Sequence, residues 1–181
     1  MTPAVIDIEA SGFGSKSYPI EIGVVTPDKK GHCFLIKPAE TWQYWDNSAE
    51  QMHGITQRIL YDRGKPAEEV AHTLNMLFRG QTLYSDAWGH DISWLGKLFD
   101  ICNIPQLFRL DSIRSLISDE QAAIWHPTKD QILQRMNLTR HRASSDARAL
   151  QETYLKVSQL THSVDARYRE PVAAGYLGLK G

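Results

Sequence analysis

The stretch Ala4-Val5-Ile6-Asp7-Ile8-Glu9 limits the fold of this chain more than any other. Its β-branched residues, and the Ser11-Gly12 turn signal behind them, read as a strand of a buried sheet. Side chains alternate across a strand, so Asp7 and Glu9 share one face while Ile6 and Ile8 share the other. At ~4 Å and an effective dielectric of ~20, two like charges repel by roughly 4 kcal/mol. A core strand holds such a pair only if a proton or a cation relieves it. Hard divalent ions that prefer oxygen, Mg²⁺ or Mn²⁺, suit it. Taken alone, Asp-x-Glu fits an edge strand with a wet polar face at least as well, so the rest of the chain has to decide.

A turn over residues 10–15 leads to a second strand, Tyr18 to Val25, and Thr26 to Gly31 forms a hairpin turn into a third, Cys33 to Ile36. Residues 41–57 read as irregular and aromatic, with Trp42, Tyr44 and Trp45. Pro66 opens a helix that runs to about Arg79, with Val70, Leu74, Leu77 and Phe78 on one face and Gly80 as its stop. A short strand, Thr82 to Ser85, precedes a helix from Asp91 to Cys102, and Phe108 to Leu110 reads as a last strand. Helices over 128–136 and 145–160 follow. Strands first, then strands alternating with helices, predict an α/β domain over residues 1–164 with a mixed sheet, and an extended tail over 165–181.

Composition excludes little beyond a membrane span. The 181 residues suffice for one sizeable core, with no apolar run of bilayer length and no signal peptide at the start, which predicts a cytoplasmic protein. Cys33 and Cys102 match no metal or redox spacing and read as two reduced, buried thiols. The net charge of −1 argues against wide, nonspecific binding to duplex nucleic acid. With four acids neutralised by metal, 20 basic residues face 17 acids, a balance of +3 that suits a short or single-stranded end.

Two further acids carry the argument. Asp91 follows Ser85-Asp86-Ala87-Trp88-Gly89-His90 where a strand gives way to a helix, the usual place for ligand sites in α/β sheets. Asp146 lies in the first turn of the last long helix, which Ser144 or Ser145 is placed to cap, with His141 in the loop before it. Each acid alone also reads as an ordinary N-terminal helix acid worth ~0.3–1 kcal/mol.

Taken in order, Asp7-x-Glu9, Asp91 at its junction and His141-x4-Asp146 resemble the DnaQ-like 3′-to-5′ exonucleases of the DEDDh type. The resemblance covers about residues 4 to 160 and includes Ile20-Glu21-Ile22-Gly23 and His53-Gly54-Ile55-Thr56. It departs from the family at His90 and Ala87, where an aromatic and an Asn are usual, and at Ala10-Ser11-Gly12-Phe13, where Thr-Thr-Gly-Leu is common. These departures bear on substrate choice more than on chemistry.

The resemblance implies a ribonuclease H-like fold with a five-stranded mixed sheet flanked by helices, and two Mg²⁺ or Mn²⁺ ions. Asp7, Glu9 and Asp146 would hold one ion, while Asp7 and Asp91 would hold the other. His141 would be the general base, since a histidine with a pKa of ~6.5 suits that work. A clamp on both reacting oxygens is also what an anionic phosphodiester demands. Gly12, Phe13, His53 and Ile55 would meet the terminal nucleotide. Trp88, with Trp42, Tyr44 and Trp45, offers stacking surfaces for bases, and Lys16, Arg140 and Arg142 offer charges for phosphates. The expected partner is a nucleic acid with a free 3′ end, single-stranded or short, and the family's habit of dimerising makes a homodimer a further expectation. Two other readings stay open on sequence alone: a noncatalytic binding module on the same fold, and a different metal-dependent phosphoesterase.

Overall fold

The structure, a computed structural model, describes residues 1–137 and 140–168. Three antiparallel strands come first, β1 (Ala4–Ala10), β2 (Pro19–Val25) and β3 (Gly31–Lys37). β5 (Thr82–Ser85) joins β1 in parallel, and β6 (Arg109–Ser112) joins β5. The two-residue β4 (Lys65–Pro66) lies parallel to β3 and gives a six-stranded sheet, ordered β4-β3-β2-β1-β5-β6. The sheet therefore has one strand more than expected. A strand of two residues that ends in Pro66 carries no periodicity to read.

The segment over 41–57 is also more regular than its sequence suggests. It contains α1 (Asn47–His53), and α2 (Gln57–Arg63) begins at its end. Asp46 caps α1 by accepting from the Ser48 N–H at 2.8 Å, and Thr56 caps α2 by accepting from the Ile59 N–H at 3.2 Å. Helices of seven residues are too short to show a hydrophobic stripe, so their caps were the signal available. The same holds for α5 (Asp119–Ala123), which opens with a capping box between Ser118 and Gln121.

The sheet buries both faces. Ile6, Ile8, Ile22 and Val24 pack on α3 (Ala67–Phe78) and α4 (Trp88–Cys102) through Leu74, Phe78, Leu95 and Leu98. Val5 and Val25 turn to the opposite face, where α7 (Ala143–Tyr168) lays Ala147, Leu150 and Val157 over them. Trp125 of α6 (Trp125–Met136) closes that side. The strand alternation in β1 thus divides its apolar residues between two cores and leaves Asp7 and Glu9 on the α7 side. α7 continues to Tyr168, so the expected tail is helical at its start, and residues 169–181 lie outside the described residues. Among the described residues no helix is long and apolar enough to cross a membrane.

The cysteines differ from their expectation. Cys33 is exposed, with its thiol 3.3 Å from Glu21 Oε1, and Cys102 is half-buried. Cys33 sits on β3, whose outer residues alternate toward solvent.

Candidate active site

Asp7 pairs with Gly23 across the β1–β2 ladder, and Glu9 pairs with Glu21. Gly23 is there for closeness: a Cβ on it would stand 2.2 Å from the Ala143 carbonyl carbon and 2.3 Å from the Ser144 nitrogen. The bare backbone of β2 lets the N-terminus of α7 rest directly on the sheet, which brings Asp146 over Asp7 and Glu9. Ser144 and Ser145, expected as caps, lie inside the first turn of α7. The turn instead starts at the Arg142 carbonyl, which accepts from the N–H groups of Ser145 and Asp146.

His141 stands just before that turn with φ +58°, a left-handed conformation unusual for a residue with a Cβ. Its N–H donates to Asp146 Oδ2 at 2.8 Å. Glu9, His141 and Asp146 each bring one ligand-type atom to within 4.8 Å of the others. Asp91 enters from α4, and its Oδ2 accepts a short hydrogen bond from the Ser85 hydroxyl. Its Oδ1 is buried and has no hydrogen-bond partner among the described residues.

These side chains line one cleft of about 240 Å³, together with Gly12, Phe13, Ala49, Met52, His53, Ala87, His90 and Trp94. Crowding shows in the carboxyl groups. Burial, then Asp91, Glu9 and Asp146, push Asp7 well above the ordinary carboxylate range. Burial and the neighbouring Asp146 and Glu21 raise Glu9 to about 7. Burial takes Asp91 to about 7 despite the Ser85 hydroxyl, with Asp86 adding to the rise. Burial also raises Asp146, against the bond from the His141 N–H. Four carboxyl groups whose proton affinity is raised by burial and crowding form a setting that a divalent cation would relieve. Asp91 Oδ1, which has no hydrogen-bond partner among the described residues, and the Glu9 and Asp146 carboxylates beside His141 are hard oxygen donors that fit a divalent cation.

The residues expected to meet substrate divide. Gly12 packs under Tyr44 and Asp46, and the exposed Phe13 stands at the cleft. Trp94 and Lys97 of α4 hold this loop, the indole N–H donating to Ser17 Oγ at 2.8 Å and the ammonium to the Ser15 and Ser17 carbonyls. His53 ends α1, where Gly54 takes φ +68° to stop the helix. Its Nδ1 accepts from the Ile55 N–H at 3.0 Å, so in the neutral ring the proton belongs to Nε2. That nitrogen is buried near the Ala10 carbonyl without making a hydrogen bond, and burial lowers the ring's pKa.

Ile55 and Trp88 do not line the cleft. The Ile55 side chain is buried with Tyr18, Ile20 and Leu60, and its N–H donates to His53 Nδ1. The Trp88 indole is exposed and tethered to the Leu110 carbonyl at 3.2 Å. Trp42 stacks on Tyr18 at 5.1 Å, and Trp45 donates to Glu50 at 2.7 Å, so both are held by neighbours. Arg142 is engaged by Glu21, while Lys16 and Arg140 are exposed. Met52, Ala49 and Trp94 line the cleft without having stood out in the sequence. Met52 and Ala49 lie in the short helix whose caps were its only mark.

No protein-family model and no curated protein sequence matches the chain. Solved structures do. E. coli exonuclease I in complex with a dA16 oligonucleotide is 12% identical with a TM-score of 0.66, over 90% of this chain and 42% of the other. The zinc-bound form of the E. coli ExoI–ssDNA complex is 13% identical with a TM-score of 0.68, over 91% and 42%. Exonuclease I from Methylocaldum szegediense, described as moderately thermophilic, is 15% identical with a TM-score of 0.65, over 93% and 41%. The chain spans less than half the length of these proteins. What it shares with them is the fold, a mixed α/β sheet flanked by helices, of the ribonuclease H-like exonucleases.

Proposed function

We propose that the chain is a divalent-metal-dependent 3′-to-5′ exonuclease that releases mononucleotides from single-stranded DNA, RNA or short oligonucleotides. One observation carries the reading: four carboxyl groups from β1, α4 and α7 meet His141 in a single cleft, although they are spread from residue 7 to residue 146. The likeness to structures of exonuclease I bound to single strands supports it through the fold.

Asp7, Glu9 and Asp146 would hold one ion, and Asp7 with Asp91 a second. When bound, such ions neutralise the phosphodiester and stabilise the charge on its attacking and leaving oxygens. The chain's own residues supply the rest. His141 accepts the proton of the attacking water, and its backbone bond to Asp146 keeps the imidazole beside Glu9. His53, which lines the cleft at the end of α1, would meet the terminal sugar or base. Phe13 offers an exposed ring for that base to stack on.

The test is incubation of matched end-labelled DNA and RNA oligomers of graded length with Mg²⁺ or Mn²⁺, and again with EDTA. Stepwise loss of single nucleotides from the 3′ end, abolished by EDTA, is the expected result. Internal cuts would make the chain a different phosphoesterase. Binding without cleavage under either ion would make it a binding module.

A further inference from the structure

Glu21 and Arg142 lie outside the proposed ion site, yet they form the most heavily bonded ion pair beside it. Glu21 is fully buried on β2, opposite Glu9. It accepts from Arg142 Nη2 at 2.6 Å, from Arg142 Nε at 3.1 and 3.2 Å, and from the Ala143 N–H at 2.8 Å. Burial pushes its carboxyl up, but these donors outweigh that and hold it below its ordinary value. A buried ion pair contributes little net stability compared with an apolar replacement, and its best-attested use is to fix one arrangement over others.

The arrangement fixed here is that of His141. The histidine immediately precedes Arg142 and holds φ +58°, a conformation that persists only where the surroundings over-determine it. On one side its N–H is bonded to Asp146. On the other, the next two residues, Arg142 and Ala143, are both tied to the Glu21 carboxylate.

We infer that Glu21 and Arg142 are positioning residues for His141, anchoring the peptide that follows it to the central sheet so that the imidazole faces Glu9 and Asp146. Neither touches substrate. Arg142 commits its Nε and Nη2 to Glu21. For its kinetic readout the inference rests on the nuclease reading; a second readout does not.

The test uses the full chain with Arg142→Gln, Arg142→Lys, Glu21→Gln and the double variant. Arg142→Gln is expected to lower kcat by up to ~10²-fold, the scale of a misplaced catalytic group. KM for the oligonucleotide and the affinity for Mn²⁺ stay within about twofold of wild type. Arg142→Lys, which keeps the charge but loses the fork, recovers part of the rate. The double variant is no slower than the slower single, as one shared linkage requires. Independently of activity, amide hydrogen exchange over residues 141–146 quickens by about tenfold or more in Arg142→Gln, with β1 and β2 unchanged. An unchanged kcat, a loss that merely follows the folded fraction, or unaltered exchange at 141–146 would overturn the inference. If Arg142→Gln strands the buried carboxylate and fails to fold, the charge-free double variant and Arg142→Lys carry both measurements. An inactive wild type would sink the nuclease reading alone, and exchange at 141–146 would still decide the anchor.

Discussion

Asp7 sits where burial and four neighbouring acids all oppose its charge. An amide there removes the repulsion and keeps the shape. Asp7→Asn is therefore expected to abolish turnover while raising the melting temperature in EDTA, read by calorimetry beside an activity assay. A lower melting temperature would mean that Asp7 is not the electrostatic liability its surroundings suggest. His141→Ala is expected to slow hydrolysis by roughly 10²–10⁴, as for a lost general base, with Mn²⁺ affinity little changed in a titration. Wild-type rates in that variant would move the base elsewhere. At this scale the sequence was most legible where backbone geometry alone decides direction. Asp7 and Glu9 share a face because strands alternate, and Asp91 and Asp146 lie in first helical turns. Ile55 and Trp88 were illegible because their surroundings come from distant segments: Tyr18 and Ile20 enclose one, and the Leu110 carbonyl tethers the other.

Among the elements, the contact between β2 and α7 matters most. Gly23→Ala places a Cβ against the backbone of Ala143 and Ser144, where no side chain can swing aside. Overpacking of this kind costs typically ~1–3 kcal/mol, and here it also lifts Asp146 off the strand acids. The expected result is a lower urea midpoint together with weaker Mn²⁺ binding; a variant as stable as wild type that binds metal normally would show that α7 has room to shift. The amphipathic α3 and the last helix were readable because each runs over two turns or more, and the meander because short apolar runs are separated by turn residues. β4, α1 and α2 were not, since two to seven residues show no period. Gly23 belongs to the Ile20-Glu21-Ile22-Gly23 motif, but its purpose depends on a helix some 120 residues away.

For the molecule as a whole, the acid cluster links stability to pH and to cations. Glu9 and Asp91, both raised to about 7, bind protons more tightly folded than unfolded. Their protonated forms favour the fold, so in metal-free buffer stability is expected to fall as the solution is taken from about pH 5 to about pH 8. Mg²⁺ or Mn²⁺ would bind the ionised cluster and flatten that fall. Thermal melts across this range, with and without the ion, check both statements; a melting temperature that climbs with pH in EDTA would refute them. Charge counting alone placed this chain at near neutrality and said nothing of where its acids gather.

The cleft draws its walls from β1 at one end of the chain and α7 at the other. During synthesis, then, a nascent chain has no assembled centre until the closing helix has emerged and docked. A fragment ending before residue 141 would lack His141 and Asp146, and with them one side of the proposed ion site, however well its sheet formed.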